Sequence, residues 1–524
     1  MDLPSQADGL IRELIGEGFH NADYPLEQFL AQMPGSRLPS HPLVSIDPRE
    51  RLIHAHGQSL PDWVGLRRGV LRRFPDGVAF PSHGAELAAV LQLAAEQNWV
   101  VIPYGGGTSV VGHLSVPEDD RPVLTVSLAR LCRMVHLDPI SRLATFEAGV
   151  RGPDLEAQLR GHGFTLGHFP QSFEYSTLGG WVATRSSGQQ SAHYGRIEAL
   201  FAGGRMLTPR GEMTFPTFPA SAAGPDLRQL ALGSEGRMGV LSEATVRISA
   251  LPARDDVVGF FFPDWEAGAA AARKLSGAGV PFSMLRLSNA VETMTSLAIA
   301  GHANLIRWLK RYLRVRNISD TTACMALVGF TGTERLVRAA RAEATTIFRA
   351  EKGVSVGTPM GAAWKKTRFR APYLRNTLWD LGYALDTMET IVPWEKVTPT
   401  MTAIESAIRE SLGRWQEKVH VFTHLSHVYP TGSSIYTTYI FRATQDPQET
   451  LSRWQAIKSA GSREIVRAGG TISHQHGVGL DHAPYLPAEK GALGMATLRH
   501  AFNYFDPQGR MNPGKLCLPE EASS

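Results

Sequence analysis

Cysteine is scarce in this chain: three in 524 residues, Cys132, Cys324 and Cys517, far apart and without a CxxC pair. That scarcity excludes a disulfide framework and a zinc knuckle and suits a reducing compartment. Long apolar runs are missing too, since no stretch approaches the about 18 residues of a membrane-spanning helix. Met1–Gln28 carries Asp2, Arg12, Glu13 and Glu17 where a secretory leader needs an apolar core. The terminal Glu520-Glu521-Ala522-Ser523-Ser524 does not match a peroxisomal address, so the expected location is cytoplasmic. Charge of one sign is also lacking: 53 basic against 49 acidic residues leave a net charge of +4. This excludes a large nucleic-acid footprint but not a local basic pocket. There is no internal repeat and no low-complexity linker. What is present, 43% hydrophobic and 19% charged residues, is the composition of a soluble globular protein. A chain of this length should fold as two large units with extras.

The sequence pattern divides the chain into four stretches. Residues 1–70 read as an N-terminal helical arm. Residues 71–252 read as an α+β unit with glycine at its turns. In it, Phe74–Pro81 is a turn and a short strand. Ser82 is placed to cap a helix whose apolar residues Leu87, Val90, Leu91, Ala94 and Ala95 recur at helical spacing. Trp99–Ile102 is a buried strand, and Pro153 opens a helix that Gly161 and Gly163 close. Residues 253–485 form a second α+β unit, with a strand at 257–262, helices at 334–350 and 396–412, and strands at 419–427 and 434–441. Residues 486–524 close the chain with a helix at 487–503.

Three loops of small residues stand out. Pro103-Tyr104-Gly105-Gly106-Gly107-Thr108-Ser109 follows a strand directly. Consecutive glycines let the main chain curl its N–H groups toward an anion, and two hydroxyls follow. Ser176–Gly188 and Gly233–Leu241 are the second and third. Neither a GxGxxG opening a helix nor a P-loop lysine is present, which excludes both of those phosphate sites.

In this order and spacing the three loops resemble the FAD-binding domain of the vanillyl-alcohol oxidase family. The resemblance implies an α+β fold: a two-part FAD-binding domain plus an α+β cap domain with an antiparallel sheet. It also implies flavin contacts from Pro103, Tyr104, Gly105, Gly106, Gly107, Thr108, Ser109, Gln171, Ser172, Ser176, Thr177, Gly180, Thr184, Arg185, Ser186, Ser187, Glu235, Gly236, Gly239, Val240 and Leu241. Thr108 stands where some relatives carry a histidine bonded to the flavin, so FAD is expected to be held non-covalently. His113, just beyond, is expected at the surface.

A closer resemblance runs from about 46 to 516, to the alkyldihydroxyacetonephosphate synthases, flavoenzymes of ether-lipid synthesis. It rests on His54–Leu60, on Gly167–Trp181, on Leu285–Asn289, on Tyr373–Arg375, on Asp386–Thr390, on Ile435-Tyr436 and on Ser473–Gly479. The family exchanges the acyl group of acyl-dihydroxyacetone phosphate for a long-chain alcohol without net redox. The resemblance implies that Tyr436 is the acid/base group, its pKa lowered by nearby cations. It implies that His474 and His476 tune that phenol, that Arg286 lies near the flavin, and that Arg375, with Thr387, binds the anionic substrate. Two departures are visible: Gln171 replaces a usual Asp, and Gln475 replaces the middle of three histidines.

The competing reading is an FAD-dependent oxidase or dehydrogenase of D-2-hydroxy acids or another alcohol. Those enzymes carry a metal-binding Gly-Glu-His-Gly turn, and here Gln475 precedes His476, so no metal is expected. A flavin-binding protein without turnover is a third reading, disfavoured by the acid/base set. The expected partner is a small amphipathic or anionic substrate and no nucleic acid. Peripheral membrane contact and a homodimer both stay open.

Overall fold

The computed structural model describes residues 4–20, 22–301 and 303–518; Asp2 and the terminal Glu520–Ser524 lie outside them. The chain forms two compact units, neither continuous in sequence. One, the glycine-loop unit, contains Asp23–Gly188, Gly195–Leu251 and the tail from Gln475. The other, the sheet unit, contains the described residues before Asp23, Gln189–Tyr194 and Pro252–His474. The stretch 1–70, read as one arm, thus divides between the units. Its helix Ser5–Ile15 places Ile11 and Ile15 in a sheet-unit core with Leu378, Tyr383 and Ile440. An amphipathic helix goes where its apolar stripe is covered, whatever its place in the chain.

The glycine-loop unit has two main sheets. A four-stranded sheet runs in the order Val44–Ser45, Gly77–Ala79, Val123–Ser127, Val100–Tyr104, with parallel pairing among the last three. Such strands are buried on both faces and read as unbroken apolar runs, as Val100-Val101-Ile102 does. A five-stranded antiparallel sheet follows the order Met134–Asp138, Leu143–Glu147, Val240–Arg247, Phe201–Thr208, Gly211–Phe215. The helix Gly84–Glu96 is capped by the His83 ring, not by Ser82; the Ser82 hydroxyl donates instead to Glu86. The tail completes the unit. Val101 N–H donates to the Arg510 carbonyl at 2.9 Å and Asn512 N–H to the Val101 carbonyl at 2.8 Å, covering the edge strand Val100–Tyr104. The Asn512 side chain donates to the Glu235 carbonyl at 2.8 Å.

The sheet unit is built on one eight-stranded antiparallel sheet. Its order is Val354–Gly357, Arg254–Phe262, Cys324–Gly332, Met284–Ser288, His420–Leu425, Gly432–Arg442, Tyr383–Pro393, with Val428–Tyr429 paired to Gly432–Arg442. Helices Trp265–Gly277 and Glu334–Ala350 bury Ala271, Leu275, Ala344 and Phe348 against Val258, Phe260 and Val328 of the sheet. The architecture is the α+β one expected, with the antiparallel sheet in the second unit. Among the described residues no helix is long and apolar enough to cross a membrane.

Candidate active site

In the glycine-loop unit the three loops meet through backbone. A Cβ on Gly106 would lie 1.9 Å from the Tyr175 carbonyl oxygen, and one on Gly105 would lie 2.4 Å from Thr177 Oγ1. Gly107 adopts φ +68°, which favours glycine, and a Cβ there would meet the Tyr104 hydroxyl. The first loop therefore rests on the second. It reaches the third through Pro103, against which Gly236 packs at φ +77°. Gly239 crosses the Leu207 carbonyl just before Val240 and Leu241 begin their strand.

The second loop is fixed by its own side chains. Thr177 caps the helix Leu178–Thr184, accepting from Gly180 N–H. Thr184 donates to the Gly180 carbonyl, Ser176 accepts from the Trp181 indole at 2.7 Å, and Ser186 pairs with His168 at 2.8 Å. Arg185 closes the helix in the left-handed region at φ 53° and donates to Gln229. The Ser172 carbonyl accepts from Tyr175 and Ser176 N–H, while Gln171, Ser172 and Ser187 stand in or beside this loop.

Glu235, at φ 51°, spends its carboxylate on the tail, accepting from Val478 N–H at 2.6 Å and Gly479 N–H at 2.9 Å. His113 Nε2 lies 3.0 Å from the same carboxylate, and its Nδ1 lies 2.6 Å from Ser109 Oγ. His113 is thus buried, not at the surface, because it bridges the first and third loops. Residues 103–109 and 176–188 contain no carboxylate, so this glycine cradle of N–H groups and hydroxyls fits an FAD pyrophosphate.

In the sheet unit the candidates come together through strand register. Glu389, Tyr436 and His424 stand directly opposite one another on three adjacent strands, which puts their side chains in one row on one face. The Tyr436 hydroxyl donates to Thr387 Oγ1 at 3.2 Å, and its ring stacks on His424 at 4.9 Å. Tyr439 points to the other face, where its hydroxyl meets Asp386 at 3.1 Å. Burial pushes the Tyr436 phenol up to about 12; the Thr387 bond and Arg286 pull it down, Glu389 and Asp386 push it further up. The lowering expected from neighbouring cations does not occur, because desolvation of the phenolate wins.

Behind the row lies an ion cluster that the sequence did not reveal. Glu292, on the helix Ala290–Ala300, pairs with the Arg286 guanidinium and accepts from His424 Nδ1 at 2.9 Å. Burial opposes its ionisation, yet His424 and Arg286 hold its carboxyl down at about 2. Burial and Arg286 push the His424 imidazole the other way, toward the neutral form. Arg286 also lies 3.2 Å from His424 Nδ1, an atom already donating to the carboxylate, so the carboxylate is the guanidinium's partner. A buried carboxylate that orients a neutral imidazole leaves its Nε2 as the basic atom.

Glu389 organises the far end. It accepts from His474 N–H at 2.9 and 2.8 Å and from the Ser473 hydroxyl at 2.9 Å. His474 Nε2 lies 2.9 Å from the Tyr429 hydroxyl, and its ring is 4.9 Å from that of His427. His474 is the last residue of the sheet unit, and His476 belongs to the glycine-loop unit. Arg375 is half-buried on the helix Leu374–Asp380. That helix packs Leu378 on Tyr383 and Ile440, which by alternation share the sheet face of Thr387, Glu389 and Tyr436. Two signals pointed to the missed residues. Asn289 three places before Glu292 is a helix-start pattern, and His420-Phe422-His424 is a period-two row.

The family described as "FAD binding domain" matches residues 75–215, and the one described as "FAD linked oxidases, C-terminal domain" matches residues 251–516. The chain is 31% identical over 488 residues to an alkyldihydroxyacetonephosphate synthase of Trypanosoma brucei brucei, covering 92% of this chain and 79% of that one. It is 30% identical over 504 residues to one of Dictyostelium discoideum, covering 94% and 81%. A solved alkyldihydroxyacetonephosphate synthase structure superposes with a TM-score of 0.83 at 26% identity, over 97% of this chain and 92% of that one. With its glycine cradle, its antiparallel second unit and these relatives, the chain belongs to the FAD-linked oxidase family, in the company of the alkyldihydroxyacetonephosphate synthases, and its cofactor is FAD.

Proposed function

We propose that this protein is an FAD-dependent alkyl transferase that exchanges the acyl group of acyl-dihydroxyacetone phosphate for a long-chain alcohol without net redox. The observation that carries this reading is the row Glu389–Tyr436–His424, which sets an acid/base phenol between a carboxylate and an imidazole, with Arg286 behind. The names of the relatives support the substrate class. FAD, when bound, supplies an electron-poor ring that takes and returns electron density. The chain's residues manage protons and charge.

Tyr436 rests as the neutral phenol, so it acts first as the donor, to the departing carboxylate. Having given that proton up, it takes the proton of the incoming alcohol. His474 takes and returns the proton of the carbon beside the ketone, and His476 holds the oxygen on which negative charge grows. Arg375 and Thr387 bind the phosphate-bearing head. FAD is held without a covalent bond, since Thr108 offers no imidazole, so acid precipitation should release it into the supernatant. No metal takes part, and a chelator should leave turnover unchanged. Three free cysteines fit a cytoplasmic setting.

The deciding experiment mixes the purified protein with acyl-dihydroxyacetone phosphate and a labelled long-chain alcohol. The expected result is labelled ether product and free fatty acid in equal amounts, with no electron acceptor consumed. Absence of exchange, together with anaerobic bleaching of the flavin by D-lactate or D-2-hydroxyglutarate, would move the chain to the hydroxy-acid dehydrogenases.

A further inference from the structure

The helix Ala303–Val315, with the sequence ANLIRWLKRYLRV, has more apolar surface than the protein covers. Leu309 and Leu313 face inward, against Phe261, Met325, Val354, Val356 and Met360. Leu305, Trp308, Tyr312 and Val315 follow at three, seven and ten residues from the first, which is one helix face. They are 67%, 69%, 41% and 77% exposed. Single exposed apolar residues are ordinary, but an aligned row of four that includes Trp and Tyr marks a contact surface.

The charge on this helix indicates what the contact is. Arg307, Lys310, Arg311, Arg314 and Arg316 lie on or just after it, and between Thr293 and Thr322 the sole acidic residue is Asp320. Asp320 pairs with Arg314 at 2.7 Å and lies 3.9 Å from Lys310. Arg307 and Arg311 are exposed, and Arg316 lies over the Tyr312 ring. A second copy of the helix would bring cations against cations. An anionic lipid surface meets both the apolar row and the charge. Thirteen residues span about 20 Å, too short to cross a bilayer core of about 30 Å but suited to lying on it.

We infer that Ala303–Val315 is an interfacial helix that docks the protein on an anionic lipid bilayer. Leu305, Trp308, Tyr312 and Val315 enter the acyl boundary, and Arg307 and Arg311, which lie nearest that row among the helix's cations, meet the lipid phosphates. Met360, beneath this helix, belongs to the helix Pro359–Thr367, after which the chain runs on to Arg375.

The test is co-sedimentation of the FAD-loaded protein with vesicles of phosphatidylcholine and phosphatidylglycerol in equal parts, and with vesicles of phosphatidylcholine alone. No substrate is added, so the outcome is independent of the exchange reaction. The protein should pellet with the anionic vesicles, less so as salt is raised, and weakly with the neutral ones. Leu305→Ser with Trp308→Ser should weaken binding about tenfold or more. Arg307→Gln and Arg311→Gln should each weaken it about fivefold, equivalent to about 1 kcal/mol per cation. Flavin content and melting temperature should hold in the arginine variants, which keep the inward face intact. Three results would overturn the inference: no pelleting at low salt, equal pelleting with both vesicles, or apolar-face variants that pellet like the parent. A change from dimer to monomer in those variants without loss of pelleting would assign the face to a second copy instead.

Discussion

The flavin cradle and the proposed acid/base row are built by opposite means. In the glycine-loop unit the cradle is main chain, and its side chains are occupied with one another: Ser176 with Trp181, Ser186 with His168, Glu235 with the tail. In the sheet unit the proposed acid/base groups are side chains delivered from separate strands and one helix. A backbone site tolerates changes of side-chain chemistry and fails when an atom is added. A side-chain site tolerates small changes of shape and fails when one polar atom is removed.

Adding an atom to the cradle should have the largest effect. Gly106→Ala sets a methyl against the Tyr175 carbonyl, a rigid backbone oxygen, and is expected to yield protein without flavin and without turnover. Gly84→Ala, at the start of a helix with open space around it, should keep full flavin. Flavin absorbance per chain decides the matter, and a fully yellow Gly106→Ala protein would break the comparison.

Removing an atom from the row should come next. Tyr436→Phe is expected to lower turnover by about 10²–10⁴-fold with flavin content and melting temperature retained. Tyr439→Phe should do the reverse. Its hydroxyl shares Asp386 with the Trp454 indole, so its loss costs about 1 kcal/mol of stability and leaves turnover intact. An equal loss of turnover in both would remove Tyr436 from the acid/base role.

The ion cluster sharpens the contrast further. Glu292→Gln keeps the shape and strips the charge that holds Arg286 and His424, and should cost roughly 3 kcal/mol of stability at neutral pH. The folded carboxyl is depressed from 4.5 to about 2, so its stabilisation is present above 4.5 and is lost as pH falls through about 2. Thermal melts across that window should show a shallower acid slope in the variant than in the parent. Identical slopes would mean that Glu292 is not ionised in the fold. A smaller effect than at Glu292 is expected at Arg375→Ala: KM for the phosphate-bearing substrate rises about 10–100-fold while FAD binding is unchanged, as substrate titrations would show.

The same contrast explains what could be read in advance. Each loop of the cradle is contiguous, so PYGGGTS announces both its strand and its turn, and the α+β architecture follows from such runs. The row is not contiguous. Glu292 and His424 are 132 residues apart and meet only because Met284–Ser288 pairs with His420–Leu425. Tyr436 was named from its motif, but the direction of its pKa depends on burial, which no motif states. His113 reads as a loop residue in sequence because the carboxylate that buries it, Glu235, lies more than a hundred residues away. The split of the first 70 residues was equally hidden, since which core receives the Ile11–Ile15 stripe is a tertiary fact.

The tail also sets the order in which this protein can be made. Met511 lies along Val101, and Asn512 reaches the Glu235 and His113 carbonyls. More than 500 residues must therefore be made before the cradle acquires its last struts. The usual N-terminal-first sequence of domain completion is closed to this unit, and the sheet unit, whose residues end at His474, can finish before it. A chain stopped short of Asn512 would leave the ribosome with its flavin cradle unsupported, however well its second unit had folded.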